Sequence, residues 1–346
     1  MVRSLLLPVL TGVLLVALGG SKNAGSAPSD ATRIPSPAGW PGGSTPLSSL
    51  HGGGAFQKNE RPLKGAANGI YPGLTREQEG RWTKPFFFIQ LADSQFGMFG
   101  DDRSWEKETE LLTRAVAHIN RLRPRFVVVC GDLVNQPVGG PYYEAQVAEF
   151  QRIARQIDPS IPLVCLPGNH DVGGRPTPVT LADYRRRFGD DWFSFWVGGV
   201  CCLVLNSCLY SDPSGAPGEQ ERQAAWFART LEAADQAGAR HILVFQHHPW
   251  FLEKPDEPDG YFNIPRERRE PALALMRRAG VRAIFAGHYH RNASGRDGQM
   301  EMVTTSAVGR PLGNDPSGLR IVAVYEDRIA HHYYSLDEVP EAVALE

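Results

Sequence analysis

Cysteine is scarce: five in 346 residues, with no two spaced as C-x-x-C. That excludes the common small zinc clusters. Cys130, Cys165, Cys201 and Cys202 lie inside apolar runs, so they and Cys208 read as buried free thiols rather than disulfides. Neither sign of charge is in excess; the formal net charge is −2, with 36 Lys+Arg against 38 Asp+Glu. Such a chain lacks the basic footprint of a nucleic-acid binder, and no nucleic-acid partner is expected. The longest basic run, Arg185-Arg186-Arg187, suits a solvated helix face. The chain also lacks an internal repeat.

Long apolar runs are missing as well, apart from Leu5–Leu18 at the start. That run is short for a membrane span. Arg3 before it and Ala17-Leu18-Gly19 at its end give residues 1–20 the look of an export signal. The expected location is therefore secreted or periplasmic, without stable membrane association after cleavage. The alternative is a tether formed by an uncleaved signal. Residues 21–81 are rich in Gly, Ser, Pro and Ala and read as a flexible linker. Residues 82–336 read as one catalytic domain, and 337–346 as an acidic tail.

Within that domain strand-like runs alternate with helical spacing. Leu111, Leu112, Ala115, Val116, Ile119 and Leu122 recur as one helix face, ended by Pro124. Tyr143–Ile157 and Glu219–Ala237 are further amphipathic helices. Trp192–Val197 and Val200–Asn206 flank Gly198-Gly199 as a hairpin. Val303–Thr305, Leu319–Tyr325 and Arg328–Tyr334 supply late strands. The order predicts a layered α/β/β/α sandwich, two mixed sheets with helices outside. Pro255, Pro258, Gly260 and Pro265 mark an irregular insertion between Trp250 and Pro271. Trp250, Tyr261 and Phe262 there are candidates for an aromatic rim or for ordinary packing, whereas Trp192, Phe195 and Trp196 read as core.

Five apolar runs end in polar motifs. Phe86–Leu91 precedes Asp93-Ser94-Gln95, and Phe126–Cys130 precedes Gly131-Asp132. Pro162–Leu166 precedes Gly168-Asn169-His170-Asp171. His241–Gln246 precedes His247-His248-Pro249, and Val281–Ala286 precedes Gly287-His288-Tyr289-His290. Ligands of open α/β sheets bind beyond the carboxyl ends of strands. Hard oxygen donors and imidazoles gathered there suit a pair of divalent metals and hydrolysis of a phosphate ester. Each motif alone is weak; five in order at strand ends are not. His248 reads as structural. Gly287 is expected to permit a tight turn. Asn292-Ala293-Ser294 fits a glycosylation acceptor pattern, but its place beside the candidate ligands argues against that use.

These motifs resemble those of the calcineurin-like metallophosphoesterases. The likeness is greater to the calcineurin-like phosphoesterase domain-containing protein 1 branch. It is carried by Phe86–Gly97, Cys130–Leu133, Gly189-Asp190-Asp191 with Phe193–Val200, Gly287–Ala293 and His332–Glu338. The resemblance implies one metal held by Asp93, Asp132 and His290 with Gln95 nearby. It implies a second held by Asp132, Asn169, His247 and His288, with Asp132 shared. It also implies attack by a hydroxide between the metals, His170 acting at the leaving group and Asp171 orienting His170. Gln95 departs from the histidine that the wider superfamily has there. A carboxamide favours Mn²⁺ or Mg²⁺, whereas Fe or Zn would prefer imidazole. Arg291 and Asn292 are candidate phosphate contacts. The implied substrate is a phosphomonoester, either a phosphorylated small molecule or phosphoserine and phosphothreonine in a phosphoprotein. The rivals are a phosphodiesterase acting on cyclic nucleotides or other diesters, and a non-catalytic phospho-ligand binder.

Overall fold

The computed structural model describes residues 63–345. The export signal and most of the expected linker lie outside the described residues. In chain order the helices are α1 (Arg76–Glu79), α2 (Glu106–Leu122), α3 (Tyr143–Ala154), α4 (Asn169–Val172), α5 (Pro178–Phe188), α6 (Cys208–Ser211), α7 (Pro217–Gln236) and α8 (Arg266–Arg278). The strands are β1 (Phe86–Leu91), β2 (Val127–Cys130), β3 (Leu163–Leu166), β4 (Phe193–Val197), β5 (Val200–Val204), β6 (His241–Phe245), β7 (Val281–Ala286), β8 (Ala293–Asp297), β9 (Met300–Thr304), β10 (Gly318–Val324) and β11 (Ile329–Ser335). No helix among the described residues is long and apolar enough to cross a membrane.

Two sheets form, ordered β11-β10-β1-β2-β3 and β4-β5-β6-β7-β9-β8. β1, β2 and β3 run parallel, as do β5, β6, β7 and β9. Antiparallel pairs lie at three of the four sheet edges, β11-β10, β4-β5 and β8-β9, whereas β3 is a parallel edge strand. The predicted sandwich of two mixed sheets between helix layers is what the chain adopts. In β1, Phe86 and Phe88 face the second sheet, while Ile89 and Leu91 face α2 and α3. Both faces are covered, which is why the run reads as unbroken apolar sequence. Phe88 stacks on Phe126 at 4.6 Å and meets Phe245 and Phe285 edge-on at 5.5 and 5.4 Å. This aromatic seam locks the sheets face to face, so the carboxyl ends of β1–β3 and β6–β7 open to one side.

Several boundaries differ from the sequence reading. The folded domain starts before residue 82: Ala66, Tyr71 and Leu74 are buried. Tyr71 packs on Phe193 and Phe195, and the Trp196 amide donates to the Leu74 carbonyl at 2.8 Å. Two aromatic and aliphatic anchors outweigh the glycines around them. The end of the chain is likewise attached: Val339 is buried, and Arg121 donates to the Pro340 carbonyl at 2.8 Å. α5 was not anticipated; Thr177 caps it, accepting from the Thr180 amide at 3.2 Å. β8 has little strand propensity and forms because it pairs with β9. α8 begins inside the expected irregular insertion and carries Pro271 in its interior. All five cysteines are free, four of them buried and Cys165 partly so, as expected. Phe195 and Trp196 are core; Trp192 is partly exposed and packs on Trp226 at 5.0 Å.

Candidate metal centre

The loops leaving β1, β2, β3, β6 and β7 meet at one place. Asp93, Asp132, His247, His288 and His290 are all buried there. Asp132, His247 and His288 bring ligand atoms within 4.8 Å of one another, and so do Asp93, Asp132 and His290. Asp132 belongs to both groups, as a shared ligand must. His290 Nε2 lies 3.3 Å from Asp93 Oδ1, and His247 Nε2 lies 3.3 Å from Asp132 Oδ2. Asn169 Oδ1 is 3.0 Å from His247 Nε2, so the amide expected in the second ligand set sits beside it.

The backbone is strained where these side chains turn inward. Asp93, Gln95, Asp132, His288 and His290 all have positive φ, between 38° and 68°. Each such residue costs about 1 kcal/mol or more, which the packed scaffold must offset. The expected tight turn is there, closed by the Tyr289 amide donating to the Gly287 carbonyl at 2.8 Å, but the positive φ falls on His288 and His290 rather than on Gly287. Gly287 is needed for space: a Cβ would lie 2.6 Å from Asp93 Oδ2 and 2.9 Å from the Cys130 carbonyl. At Gly168 a Cβ would fall 2.1 Å from Asp132 Oδ1. The glycines of the motifs thus mark loops pressed against carboxylates.

Hydrogen bonds outside the ligand set fix which nitrogen each imidazole presents. His247 Nδ1 is 2.8 Å from the Cys130 carbonyl, and His290 Nδ1 is 2.6 Å from the Arg310 carbonyl. A carbonyl can only accept, so both rings carry the proton on Nδ1 and turn Nε2 to the carboxylates. His248 is structural as expected. Ser207 Oγ accepts from the amides of His247 and His248 and lies 3.2 Å from His248 Nδ1. Burial, together with the His288 and His247 rings, pushes the His248 imidazole well below its ordinary pKa.

Gln95 shows how its oxygen is aimed. Asp102 Oδ1 accepts from Asn135 Nδ2 at 2.8 Å, and Asn135 Oδ1 accepts from Gln95 Nε2 at 3.0 Å. The carboxylate at the start of this chain cannot donate, so each amide downstream has one orientation. Gln95 Oε1 is left buried with no partner. A buried orphan acceptor is costly unless something cationic meets it. Two buried carboxylates, three imidazoles and this carboxamide oxygen together fit a pair of divalent cations. Asn135 also takes His170 Nδ1 on its backbone carbonyl at 2.6 Å. Nothing in the sequence pointed to Asn135, because its work is done by a main-chain oxygen and a relayed amide. Asn135→Ala is expected to weaken metal affinity or turnover about 10- to 100-fold while the fold is kept. Metal titration beside circular dichroism checks this; unchanged affinity and turnover would contradict it.

Asp171 is placed differently from its expected role. Its carboxylate accepts from the Gly168 amide at 2.8 Å and the Leu133 amide at 3.0 Å. It ties the loops carrying Asp132 and His170 together rather than touching the His170 ring. Burial and the nearby Asp132 raise the Asp171 carboxyl. Burial alone would raise Asp132 too, but His247, His170 and His288 hold it far below the usual carboxylate range. Asn292 is also used otherwise: its Oδ1 accepts from Arg320 Nη2 at 2.6 Å and braces the loop. Arg291 stands over the Tyr289 ring at 4.9 Å and donates to the Leu312 carbonyl. Of the candidate rim, Tyr261 and Phe262 lie 5.1 and 5.6 Å from the His288 ring, whereas Trp250 is fully buried against Tyr210.

Burial disfavours charge on His247, yet Asp132 and Asp93 outweigh it and push its pKa up to about 9. Without metal, His247 therefore carries a proton at neutral pH that a metal must displace. Apparent metal affinity is expected to rise with pH, by up to about tenfold per unit, until near that pKa. Calorimetric titration of Mn²⁺ between about pH 6 and pH 8 checks this. A flat profile would mean that no proton on His247 is displaced when the metal binds.

A profile of the calcineurin-like phosphoesterase family matches residues 88–292. The serine/threonine-protein phosphatase CPPED1 of Danio rerio is 48% identical over 282 residues, 78% of this chain and 91% of its own length. The Homo sapiens protein of that name is 42% identical over 309 residues, 85% of this chain and 96% of its own. A crystal structure of a dimetal phosphatase from Danio rerio has the same fold, with a TM-score of 0.55 at 17% identity, spanning 74% of this chain and 98% of that one. A purple acid phosphatase from yellow lupin gives a TM-score of 0.56 at 14% identity, over 76% of this chain and 53% of that one. The resemblance first met in the strand-end motifs thus holds over most of the chain, which belongs to the calcineurin-like phosphoesterase family and is a metal-dependent phosphoric ester hydrolase.

Proposed function

We propose that this protein removes the phosphoryl group from phosphoserine and phosphothreonine in protein substrates. The observation that carries the reading is the pair of ligand groups sharing Asp132 with His170 at its edge. The relatives named serine/threonine-protein phosphatase point to the same substrate class. Asp93, Gln95, Asp132 and His290 would hold one cation, and Asp132, Asn169, His247 and His288 the other. The carboxamide of Gln95 favours Mn²⁺ or Mg²⁺. When bound, such ions neutralise charge on phosphoryl oxygens and lower the pKa of an attacking water.

The chain's own residues supply the rest. The His170 amide donates to Asp132 Oδ1 at 2.9 Å, which docks its loop on the shared carboxylate. With Nδ1 anchored on the Asn135 carbonyl, the His170 ring presents Nε2 as the proton donor to the departing alkoxide. Tyr261 and Phe262 wall one side of the mouth. A substrate panel on metal-loaded protein tests the reading. Phosphoserine peptides and p-nitrophenyl phosphate are expected to be hydrolysed far faster than bis(p-nitrophenyl) phosphate or cyclic nucleotides. Faster diester turnover would overturn it. Export is proposed on Arg3 and Leu5–Leu18 alone; N-terminal sequencing of extracellular protein, expected to start past residue 18, tests it.

A further inference from the structure

Two arginines flank the mouth of the centre. The segment carrying Arg310 and Leu312 lies alongside His290: the Arg310 carbonyl takes His290 Nδ1, and the Leu312 amide donates to the His290 carbonyl at 3.0 Å. From this shared seam the two guanidiniums diverge. Arg310 reaches the loop after Gln95, donating to the Met98 carbonyl at 3.1 Å with Phe99 below it at 5.7 Å. Arg291 reaches the insertion, over Tyr289 at 4.9 Å and Phe262 at 6.0 Å, with one N–H on the Leu312 carbonyl. Each is held by a neutral carbonyl and an aromatic ring.

Among the described residues neither arginine makes an ion pair, whereas Arg185, Arg187 and Arg277 each meet a carboxylate. Acids in the adjoining loops are engaged with other partners. Asp315 accepts from the Asn292 amide, and Asp102 accepts from Asn135, Gln136 and Gln146. A planar guanidinium fixed by stacking and one carbonyl keeps its remaining N–H donors oriented and loses little entropy on binding a carboxylate. Between and beside the arginines, Phe99, Leu312 and Tyr261 are large apolar side chains left exposed. A rim of two fixed cations with apolar ground between them matches an extended peptide bearing acidic side chains.

We propose that Arg291 and Arg310 select phosphopeptides with Asp or Glu close to the phosphorylated residue, one arginine on each flank of the scissile phosphate. This rests on the protein-phosphatase reading above and narrows its substrate class. Neither arginine belongs to the ligand groups, and both act as specificity residues.

The test is a panel of phosphoserine peptides that differ only in placing Glu, Gln or Lys within three positions on either side. Full-length, metal-loaded protein is used at low and high salt. Two exposed charge-assisted contacts are expected to give the Glu peptides about fivefold higher kcat/KM than the Lys peptides. The difference should lie mostly in KM and shrink at high salt. Arg291→Gln with Arg310→Gln should bring the ratio close to one. Arg310→Glu should invert it for positions on its flank, a reversal that misfolding cannot mimic. Equal turnover of Glu and Lys peptides by the native protein, or a preference that survives the double substitution, overturns the inference and leaves the protein-phosphatase reading intact. Hydrolysis of p-nitrophenyl phosphate with no turnover of any phosphopeptide overturns both.

Discussion

Asp132→Asn is expected to leave neither metal firmly held and to lower kcat/KM by about three orders of magnitude or more, a loss of roughly 4 kcal/mol in transition-state stabilisation. Asp132 belongs to both ligand groups, and it is the one carboxylate that can screen two cations from each other. The amide keeps the shape and can still accept from the His170 amide, so the loop stays docked. It lacks the charge. Elemental analysis after dialysis, beside circular dichroism, reads the result. Two metals retained in the folded variant would remove Asp132 from the shared position.

His170→Ala is expected to cut turnover of an alkyl phosphate such as phosphoserine by about 10²- to 10⁴-fold, the range of a lost general acid. On p-nitrophenyl phosphate the loss should be much smaller, because nitrophenolate departs without a proton. Metal content should stay near that of the native protein, since His170 lies outside both ligand groups. The His170 anchor is the Asn135 carbonyl, so the acid role depends on a main-chain atom of the β2 loop. Equal losses on the two esters would recast His170 as a phosphate-binding donor.

The cluster of candidate ligands was legible because it is written at strand ends. Phe86–Leu91 and Val281–Ala286 were read with their observed bounds, and the motifs beyond them supplied Asp93, His288 and His290. Apolar runs covered on both faces leave a strong signal, and the polar residue that ends each run stands out. Roles carried by the backbone leave none. Asn135 orients Gln95 and His170 without belonging to a motif. Asp171 ties two loops by accepting from amides, although the family resemblance implied that it orients His170. Gly287 reads as a turn and is one, but its need for glycine comes from the Asp93 carboxylate pressed against it, which no sequence pattern shows. Composition misled at residues 63–81, where Tyr71 and Leu74 fasten a glycine-rich stretch to β4. Proline misled near α8, whose neighbours Trp250 and Phe251 are buried in the core under it.

The central claim is that one chain assembles a two-cation centre on a shared Asp132, and one titration tests it directly. Metal-stripped protein is reconstituted with Mn²⁺ in steps while bound metal and phosphoserine-peptide turnover are followed together. Two ions per chain are predicted, with turnover rising mainly as the second site fills. Full activity at a single ion per chain, or undiminished activity in protein kept metal-free by a chelator, would contradict the account.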